Sequence, residues 1–565
     1  VEGIDMSRAR YHYNDCITHL FVDAFSRQIG QWCDQHHLQH TGHVLMEETP
    51  STQVEVVGSA MRFYEYMQAP GMDLLTEHRR EYDTAKMVSS AARQFGRTWR
   101  LTETYGCTGW DFPYAGHKAL GDWQAALGIN LRCQHLAWYT MEGQAKRDYP
   151  AGIFYQSPWW DTYATVEDYF ARVHVAMTRG QEVRDLLVIH PNESAWTLTR
   201  KGWRSDPALQ AIDAMIVALR DTLLEASIDF DYGDEEILSR HGKVSAAGGD
   251  GPRLRVAKAS YRAVVVPPLR TIRGTTVKLL ERFAKAGGTV VFAGAVPAFV
   301  DAVASGAAEV LAASCTRTRA KGPSLVEAVE PVARRIAVTD GKGRPVATAL
   351  HLLREDADAM VLFVCNGSHP AVARRMEQGK TSPHLPSSIH DPTMVRDRTA
   401  AFEDVRIRGF AGCRGEPIEL DPQTGEMIAA DARAADGGWE IRTSLPALGS
   451  RLFMVPKGRR APRVEKRAAL KGVRTTALGD RKTSWAITLS EPNVVVLDRP
   501  RYRIGGGRWH EAAEILRVDQ AVRDALGVAH RGGQMVQPWA RPRPRTVRRI
   551  GVELEYTFDV RRRPA

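Results

Sequence analysis

The chain has 565 residues, 44% hydrophobic and 25% charged, which is ordinary for a globular protein of about three or four domains. It contains no run of 18 apolar residues, so no membrane span is predicted. The formal net charge is +10, but much of the excess lies in arginine-rich runs at 459–467, 541–549 and 561–565. Without interleaved aromatic residues, these runs indicate solvated segments and not a nucleic-acid interface.

The seven cysteines form no CxxC pair, which argues against both a disulfide framework and a structural zinc site. We therefore expect free thiols.

Helices and strands alternate over the first 180 residues. Short apolar runs predict strands at 40–46, 71–75, 98–103 and 129–139. Apolar residues at helical spacing predict the accompanying helices at 14–38, 61–68, 84–96, 117–127 and 166–180. Alternation of this kind predicts a parallel sheet, and four strand–helix units make half of an eight-fold (β/α) barrel. We assign this half-barrel to residues 1–182.

The next region, 183–325, has short valine-rich strands between amphipathic helices, at 185–190, 208–226, 261–268, 275–286 and 287–294 in chain order. The pattern predicts a flavodoxin-like open α/β sheet. No GxGxxG follows a strand, so no dinucleotide cofactor is indicated. An amidotransferase-like enzyme is an alternative, but no GxSxG motif or cysteine at a strand–helix turn supports it. We interpret the domain as a bracing or oligomerisation module.

From residue 326 the pattern becomes all-β. Short strands between turn residues are predicted at 351–368, 415–427, 438–455, 484–498 and 551–560. They predict a β-sandwich at 326–456 and a partial, carbohydrate-binding-like sandwich at 483–565, with a linker at 457–482. The predicted fold class is therefore α/β and β, in several domains. The last strand has no obvious return partner and the chain starts at Val1 without a signal peptide, so we expect a chain truncated at both ends.

One stretch carries the clearest chemical signal, TWRLTETYGCTGWDF at 98–112. Its apolar run is predicted to end in Glu103, before an aromatic and glycine-rich loop. A carboxylate at the carboxyl end of a barrel strand lies where the loops converge, and it can act as nucleophile or base at an anomeric carbon. The structural alternative is a solvated loop glutamate.

Other candidates follow the predicted strands. Glu47 and Glu48 end the first strand, and either is a candidate for a second catalytic carboxylate. The candidates for substrate binding are His43, Trp110, Asp111, His135, Tyr139, Asp148 and Trp159. Each has a structural alternative as a core histidine, a helix cap, a loop anchor or a packing aromatic residue.

The segment from Tyr13 to Trp196 resembles the second half of the barrel in the large clan of retaining glycosidases. It is especially similar to β-galactosidase family 42 and rhamnosidase family 106. The motifs that carry the resemblance are LFVDAFSRQIGQWCDQHHLQHTGHVLMEE (20–48), AMRFYEYMQAPGMDLL (60–75), LTETYGCTGWDF (101–112), LGINLRCQHLAWYTMEGQAKRDYP (127–150) and DLLVIHPNESAW (185–196).

This resemblance implies that the four strands are the fifth to the eighth of the barrel. It implies that Glu103, on the seventh, is the nucleophile, and that the acid/base glutamate ends a fourth strand, expected upstream of Val1. It also implies an exo-acting glycosidase that cleaves terminal sugars from an oligosaccharide or glycoside. We expect no cofactor, although the likeness to family 106 leaves a calcium ion open.

We expect no nucleic-acid or membrane partner, and a homo-oligomer is an open alternative. The alternative function is that of a catalytically degenerate carbohydrate-binding or structural relative.

Overall fold

The structure of the protein is a computed structural model. It describes residues 7–75, 81–108, 112–135, 153–155, 157, 159–248, 251–367, 400–458, 497–530 and 547–560, and a few positions between 464 and 490. The chain forms two compact units. The first consists of residues 1–139 and 149–468, and the second of residues 140–148 and 469–565.

The first unit begins with a four-stranded parallel sheet whose strands pair in chain order. These strands are β1 (Thr41–Gly42), β2 (Ala69–Leu75), β3 (Leu101–Gly106) and β4 (Leu131–Gln134). The helices of this part are α1 (Ser7–Phe21), which continues through the π-helical turn Val22–Arg27 into α2 (Gln28–Gln35), then α3 (Pro50–Val56), α4 (Ala60–Tyr64), α5 (Tyr82–Phe95), α6 (Tyr114–Ala126) and α7 (Ala164–Met177). The predicted parallel half-barrel sheet is confirmed.

Local sequence explains where these helices begin and end. Helix α3 starts in a capping box, because the side chains of Thr49 and Thr52 each pair with the other residue's backbone N–H, and Pro50 occupies the first turn. Helix α5 ends at Gly96, whose φ of +66° is the left-handed cap that glycine adopts without strain.

Two strand boundaries differ from the prediction in ways that matter for the site. Strand β1 covers only Thr41–Gly42 where 40–46 was predicted, because the chain leaves the sheet and Met46 takes a left-handed φ of +60°. Strand β3 runs on to Gly106, so Glu103 lies inside the strand and not at its end. The β-branched and aromatic pair Thr104 and Tyr105 extends the strand.

A five-stranded parallel sheet follows in the order β16-β13-β11-β6-β7. When these five strands are numbered 1 to 5 in chain order and the sheet is read from the β7 edge, the order is 2-1-3-4-5, which is the flavodoxin-like order. The strands of the region are β5 (Gln181–Glu182), β6 (Leu186–Ile189), β7 (Phe230–Gly233), β8 (Gly242–Gly248), β9 (Gly251–Val256), β10 (Ala259–Tyr261), β11 (Ala263–Val266), β12 (Thr271–Ile272), β13 (Thr289–Ala293), β14 (Phe299–Val300), β15 (Val303–Ala304) and β16 (Thr316–Thr318). The helices are α8 (Asn192–Trp196), α9 (Pro207–Glu225), α10 (Glu235–His241), α11 (Gly274–Lys285), α12 (Ala307–Ala313) and α13 (Pro323–Ala333).

Two antiparallel sheets complete the first unit, in the orders β17-β20-β24-β23 and β22-β21-β25-β19-β18-β5. Their strands are β17 (Ile336–Asp340), β18 (Ala349–Glu355), β19 (Ala359–Asn366), β20 (Phe402–Gly409), β21 (Ile418–Leu420), β22 (Met427–Ala429), β23 (Ala432–Ala435), β24 (Gly438–Leu445) and β25 (Ser450–Pro456). One apolar cluster takes side chains from both sheets, as in a β-sandwich. Residues 181–182 were assigned to the half-barrel region, with no strand predicted there; they form β5, which pairs with β18.

The second unit contains β26 (Arg501–Ile504), α14 (Ile515–Leu526) and β27 (Val552–Glu555). Strands β26 and β27 pair antiparallel, so the strand predicted at 551–560 does have a partner. Helix α14 stands in a region predicted to be all-β. Most of 457–482 and 484–498 lies outside the described residues. Among the helices that the structure describes, none is long and apolar enough to cross a bilayer.

Buried ion pairs join helix α5 to the open sheet. The Lys86 ammonium lies 2.6 Å from Asp229, and the Arg93 guanidinium lies 2.7 Å from Asp231. Arg184 is completely buried and bridges the two aspartates at 2.7 and 2.9 Å. Burial opposes ionisation of Asp229, but the charges of Arg184 and Lys86 hold its pKa well below the usual value.

Removing one carboxylate of this network tests its contribution to folding. We expect Asp229→Asn to lower the free energy of unfolding by about 3–5 kcal/mol, because the buried Lys86 ammonium loses its carboxylate partner and the buried Arg184 keeps only one of its two. Urea unfolding monitored by circular dichroism measures the change. Asp168→Asn is the matched control, since Asp168 is two-thirds exposed and pairs loosely with Arg172, 3.9 Å away. A loss at Asp229 as small as in the control would contradict this role.

Candidate active site

Three side chains form a row across the half-barrel sheet. Asp73 on β2 is the register partner of Glu103 on β3, and Glu103 is in turn the partner of Cys133 on β4. Neighbouring residues of parallel strands in register point to the same face of a sheet. The burial of the Cys133 thiol and the nearby Glu103 carboxylate both raise the pKa of that thiol, as expected for adjacent side chains.

The face that this row occupies follows from the residue before Glu103. The side-chain amide of Gln124, on helix α6, donates a hydrogen bond of 2.9 Å to the Thr102 hydroxyl. Thr102 therefore faces the helices. Because successive strand residues alternate between faces, Glu103 points to the opposite face, which in a barrel is the interior.

His43 meets Glu103 on that inner face. Its Nε2 atom lies 3.8 Å from Oε2 of Glu103, and its Nδ1 atom lies 2.9 Å from the backbone oxygen of Val44. The side chains of His43 and Glu103 are 25% and 34% exposed, so a ligand can reach both. An accessible carboxylate beside an imidazole can attack or hydrogen-bond a sugar.

The end of β3 is irregular. Tyr105 takes a φ of +72° and Cys107 one of +59°, and the pairing with β2 shifts between Asp73 and Leu75. The Tyr105 hydroxyl accepts a 2.7 Å hydrogen bond from Arg132 and donates one of 3.1 Å to the His117 backbone oxygen, on α6. The bulge therefore turns Tyr105 toward the helices, although strict alternation would place it beside Glu103. Left-handed non-glycine residues are concentrated at functional sites.

A group of carboxyls, of which Glu47 and Glu81 are buried and Glu48 and Asp73 half-buried, includes one member of the row. Glu47 is 4% exposed, and its Oε1 atom has no hydrogen-bond partner among the described residues. Burial, together with the nearby carboxylates of Glu81, Glu48 and Asp73, raises the pKa of Glu47 to about 9. Glu47 is therefore protonated at neutral pH. The phenol of Tyr64 is buried beside the same glutamates.

The two kinds of carboxyl have different chemistry. Glu103 is partly solvated, whereas the Glu47 carboxyl is buried and retains its proton. A solvent-accessible carboxyl and a buried carboxyl that keeps its proton can serve an enzyme in different roles, the first as nucleophile or base and the second as general acid.

The structure brings some of the predicted site residues together and leaves others apart. His43 contacts Glu103, and Glu48 belongs to the group of carboxyls that interact with Glu47. The backbone N–H of His135 donates a 2.8 Å hydrogen bond to the Thr104 oxygen. The Trp159 backbone oxygen accepts a hydrogen bond from the Tyr114 hydroxyl, and the centroids of the two aromatic rings lie 6.4 Å apart. The candidates Trp110, Asp111, Tyr139 and Asp148 lie outside the described residues.

Sequence reasoning missed Asp73, Glu81 and Cys133. A signal for Asp73 was present, because a charged residue inside the apolar strand MDLL rarely goes to a buried face without a role. The cysteine carried no comparable signal, since its place beside Glu103 depends on the register between β3 and β4.

The crevice of the open sheet is filled by protein side chains. In this fold, ligands bind where the strand order reverses, here at the carboxyl ends of β6 and β11. Gln53, on α3, accepts a 2.7 Å hydrogen bond from Asn192 there, and Arg62, on α4, forms ion pairs with Glu193 and Asp234 at 2.8 and 3.2 Å. This packing supports a bracing role for the domain.

Within the described parts of the chain, no group of three or more His, Cys, Asp or Glu residues is arranged to hold a metal ion.

Comparisons with solved structures support the fold. The chain is similar to the rhamnosidase from Novosphingobium sp. PP1Y, with 14% identity, a TM-score of 0.56, and coverage of 88% of this chain and 42% of that one. It is also similar to Gan42B, a GH42 β-galactosidase from G. stearothermophilus, with 11% identity, a TM-score of 0.50, and coverage of 81% and 69%. The predicted resemblance to TIM-barrel glycoside hydrolases is thus confirmed at the level of the fold. No protein-family model and no curated protein matches the chain.

The raised pKa of Glu47 predicts a pH dependence of stability. The folded protein keeps this proton up to about pH 9, whereas the unfolded chain releases it near the ordinary value of 4.5. The contribution of Glu47 to stability is therefore greatest below that ordinary value and is lost as the pH rises through this window, at no more than about 1.4 kcal/mol per pH unit. Glu47→Gln should flatten the fall, measured as the free energy of unfolding against pH.

Glu309→Gln is the control, because Glu309 is an exposed glutamate of α12 and should leave the profile unchanged. Parallel profiles of Glu47→Gln and the wild type across the window would show that Glu47 does not hold the proton.

Proposed function

We propose that this protein is a glycoside hydrolase that removes terminal sugar residues from an oligosaccharide or glycoside, with Glu103 as its nucleophile. The observation that carries the proposal is the accessible Glu103 carboxyl, which contacts His43 on the inner face of the half-barrel sheet, near the group of carboxyls in which buried Glu47 retains its proton. The glycoside hydrolase fold of the similar structures agrees with this chemistry.

In the proposed reaction, a carboxylate oxygen of Glu103 forms a bond to the anomeric carbon while the bond to the leaving oxygen breaks. The leaving oxygen takes a proton, and water then cleaves the glycosyl ester to release the sugar and restore the carboxylate. Among the described residues, Glu47 is our candidate for the proton donor, because it retains a proton at neutral pH and lies near Asp73, the register partner of Glu103. Since its carboxyl is buried, this role requires the bound sugar to contact it. His43 would hydrogen-bond the sugar beside Glu103.

Replacing the proposed nucleophile tests this assignment. Glu103→Gln should lower kcat on aryl glycosides by about a thousandfold or more, because the amide cannot form the covalent intermediate. Thermal stability should change little, since the side chain is one-third exposed. The measurement is steady-state hydrolysis across a panel of aryl glycosides, together with the melting temperature.

The matched control is Glu167→Gln, since Glu167 lies on α7 and pairs with Arg132 on the helix side of the sheet. Near wild-type turnover in Glu103→Gln would remove Glu103 from the mechanism. A wild-type protein that binds sugars without hydrolysing any of them would favour the degenerate carbohydrate-binding alternative.

A further inference from the structure

A cavity of about 520 Å³ lies between helices α6 and α7 and the β-sandwich. It is separate from the row around Glu103, because it opens on the helix side of the half-barrel sheet. Tyr114 and Lys118 line it from the first turns of α6, and Tyr169 and Phe170 line it from α7. The loops 421–423 and 446–449 of the sandwich form the opposite wall.

Hydrogen bonds between the two walls hold the cavity in shape. The Lys118 ammonium donates to the Ser450 hydroxyl at 2.8 Å and to the Leu448 backbone oxygen at 3.2 Å. The Arg172 guanidinium donates to the backbone oxygens of Pro422 and Gln423 at 2.9 and 3.0 Å. The cavity is therefore formed before a ligand arrives, which reduces the entropy cost of binding.

The charged groups of the lining are already paired. Lys118 forms an ion pair with Asp122, and Arg451 lies 3.5 Å from Glu419. Asp421 accepts a 2.8 Å hydrogen bond from the backbone of Gln423. The lining thus offers donors and acceptors but no excess charge of one sign, so it suits an uncharged polar ligand.

The remaining lining is flat and apolar. Tyr114 and Pro446 present partly exposed aromatic and C–H surface, and the rings of Tyr169, Phe170 and Pro422 are buried in the cavity wall. A volume near 520 Å³ falls within the range of small-molecule sites. A ligand that carries hydroxyl groups on a ring with apolar C–H faces would match both the polar and the apolar parts of this lining.

We propose that this cavity is a second, non-catalytic binding site for a neutral sugar of one or two rings. Helix α6 follows strand β3 after a short loop, and Tyr114 and Lys118 lie in its first turns, so this wall of the cavity lies toward the end of the sheet where barrel substrates bind. The assignment of the ligand as a sugar rests on the proposed glycosidase function. The preference for an uncharged ligand with several hydroxyl groups follows from the cavity lining alone.

A cavity-filling variant tests the site. Ala447 is exposed and lines the cavity, so Ala447→Trp should fill it and weaken sugar binding at least about tenfold. Binding is measured by calorimetry and saturation-transfer NMR with a panel of neutral monosaccharides and disaccharides. The matched control is Ala304→Trp, at an exposed position of β15. Its binding should equal that of the wild type.

A second variant keeps the test informative if Ala447→Trp folds poorly. Glu419→Gln retains the shape of the side chain but is a weaker acceptor, so it should reduce affinity about threefold to tenfold. Hydrolysis of small aryl glycosides should be unchanged in both cavity variants, because neither residue lies on the inner face of the half-barrel sheet.

The possible failures of the two proposals differ. If both cavity variants bind neutral sugars as the wild type does, or if a hexose phosphate or a uronic acid binds more tightly than the neutral sugars, the cavity proposal is wrong. If sugar binding is lost in the cavity variants but Glu103→Gln hydrolyses glycosides like the wild type, the cavity proposal stands and the catalytic one falls.

Discussion

The arrangement of the first unit depends on the ion pairs between helix α5 and the open sheet. Helix α5 is buried on nearly every side. Its cations Lys86 and Arg93 form ion pairs with Asp229, just before β7, and Asp231, in β7. Replacing such a network by apolar residues often costs little, whereas breaking it leaves a buried charge. We infer that it specifies how α5 lies between the two sheets, and therefore how the half-barrel sheet is held.

The candidate active site is a consequence of that fixed sheet. Parallel register sets Asp73, Glu103 and Cys133 side by side, and the contact between Thr102 and Gln124 fixes which face they share. Glu103 is accessible to solvent, whereas burial keeps the Glu47 carboxyl protonated. The proposed chemistry needs a sugar on the inner face that contacts both groups.

The sequence predicted the fold best where periodicity is strong. Alternating apolar strands and helices gave the parallel half-barrel sheet, and the valine-rich strands indicated the open sheet. The sequence did not predict strand pairings between segments that lie far apart along the chain. The two residues of β5 join the sandwich because β18 offers them an edge, and β27 pairs with β26 about 50 residues earlier. At the candidate site, the motif predicted Glu103 as a catalytic candidate, whereas the position of Asp73 and the buried proton on Glu47 depend on packing that the sequence does not show.

The most direct test of the central claim is to trap the covalent intermediate. A 2-fluoro glycoside with a good leaving group reacts with a nucleophilic carboxylate without needing a proton donor, and the fluorine slows the second step. Peptide mass spectrometry of the labelled protein should then show one added glycosyl group on Glu103, and none after Glu103→Gln. A label on another carboxyl group, or continued hydrolysis of the aryl glycoside with Glu103 unlabelled, would contradict the account.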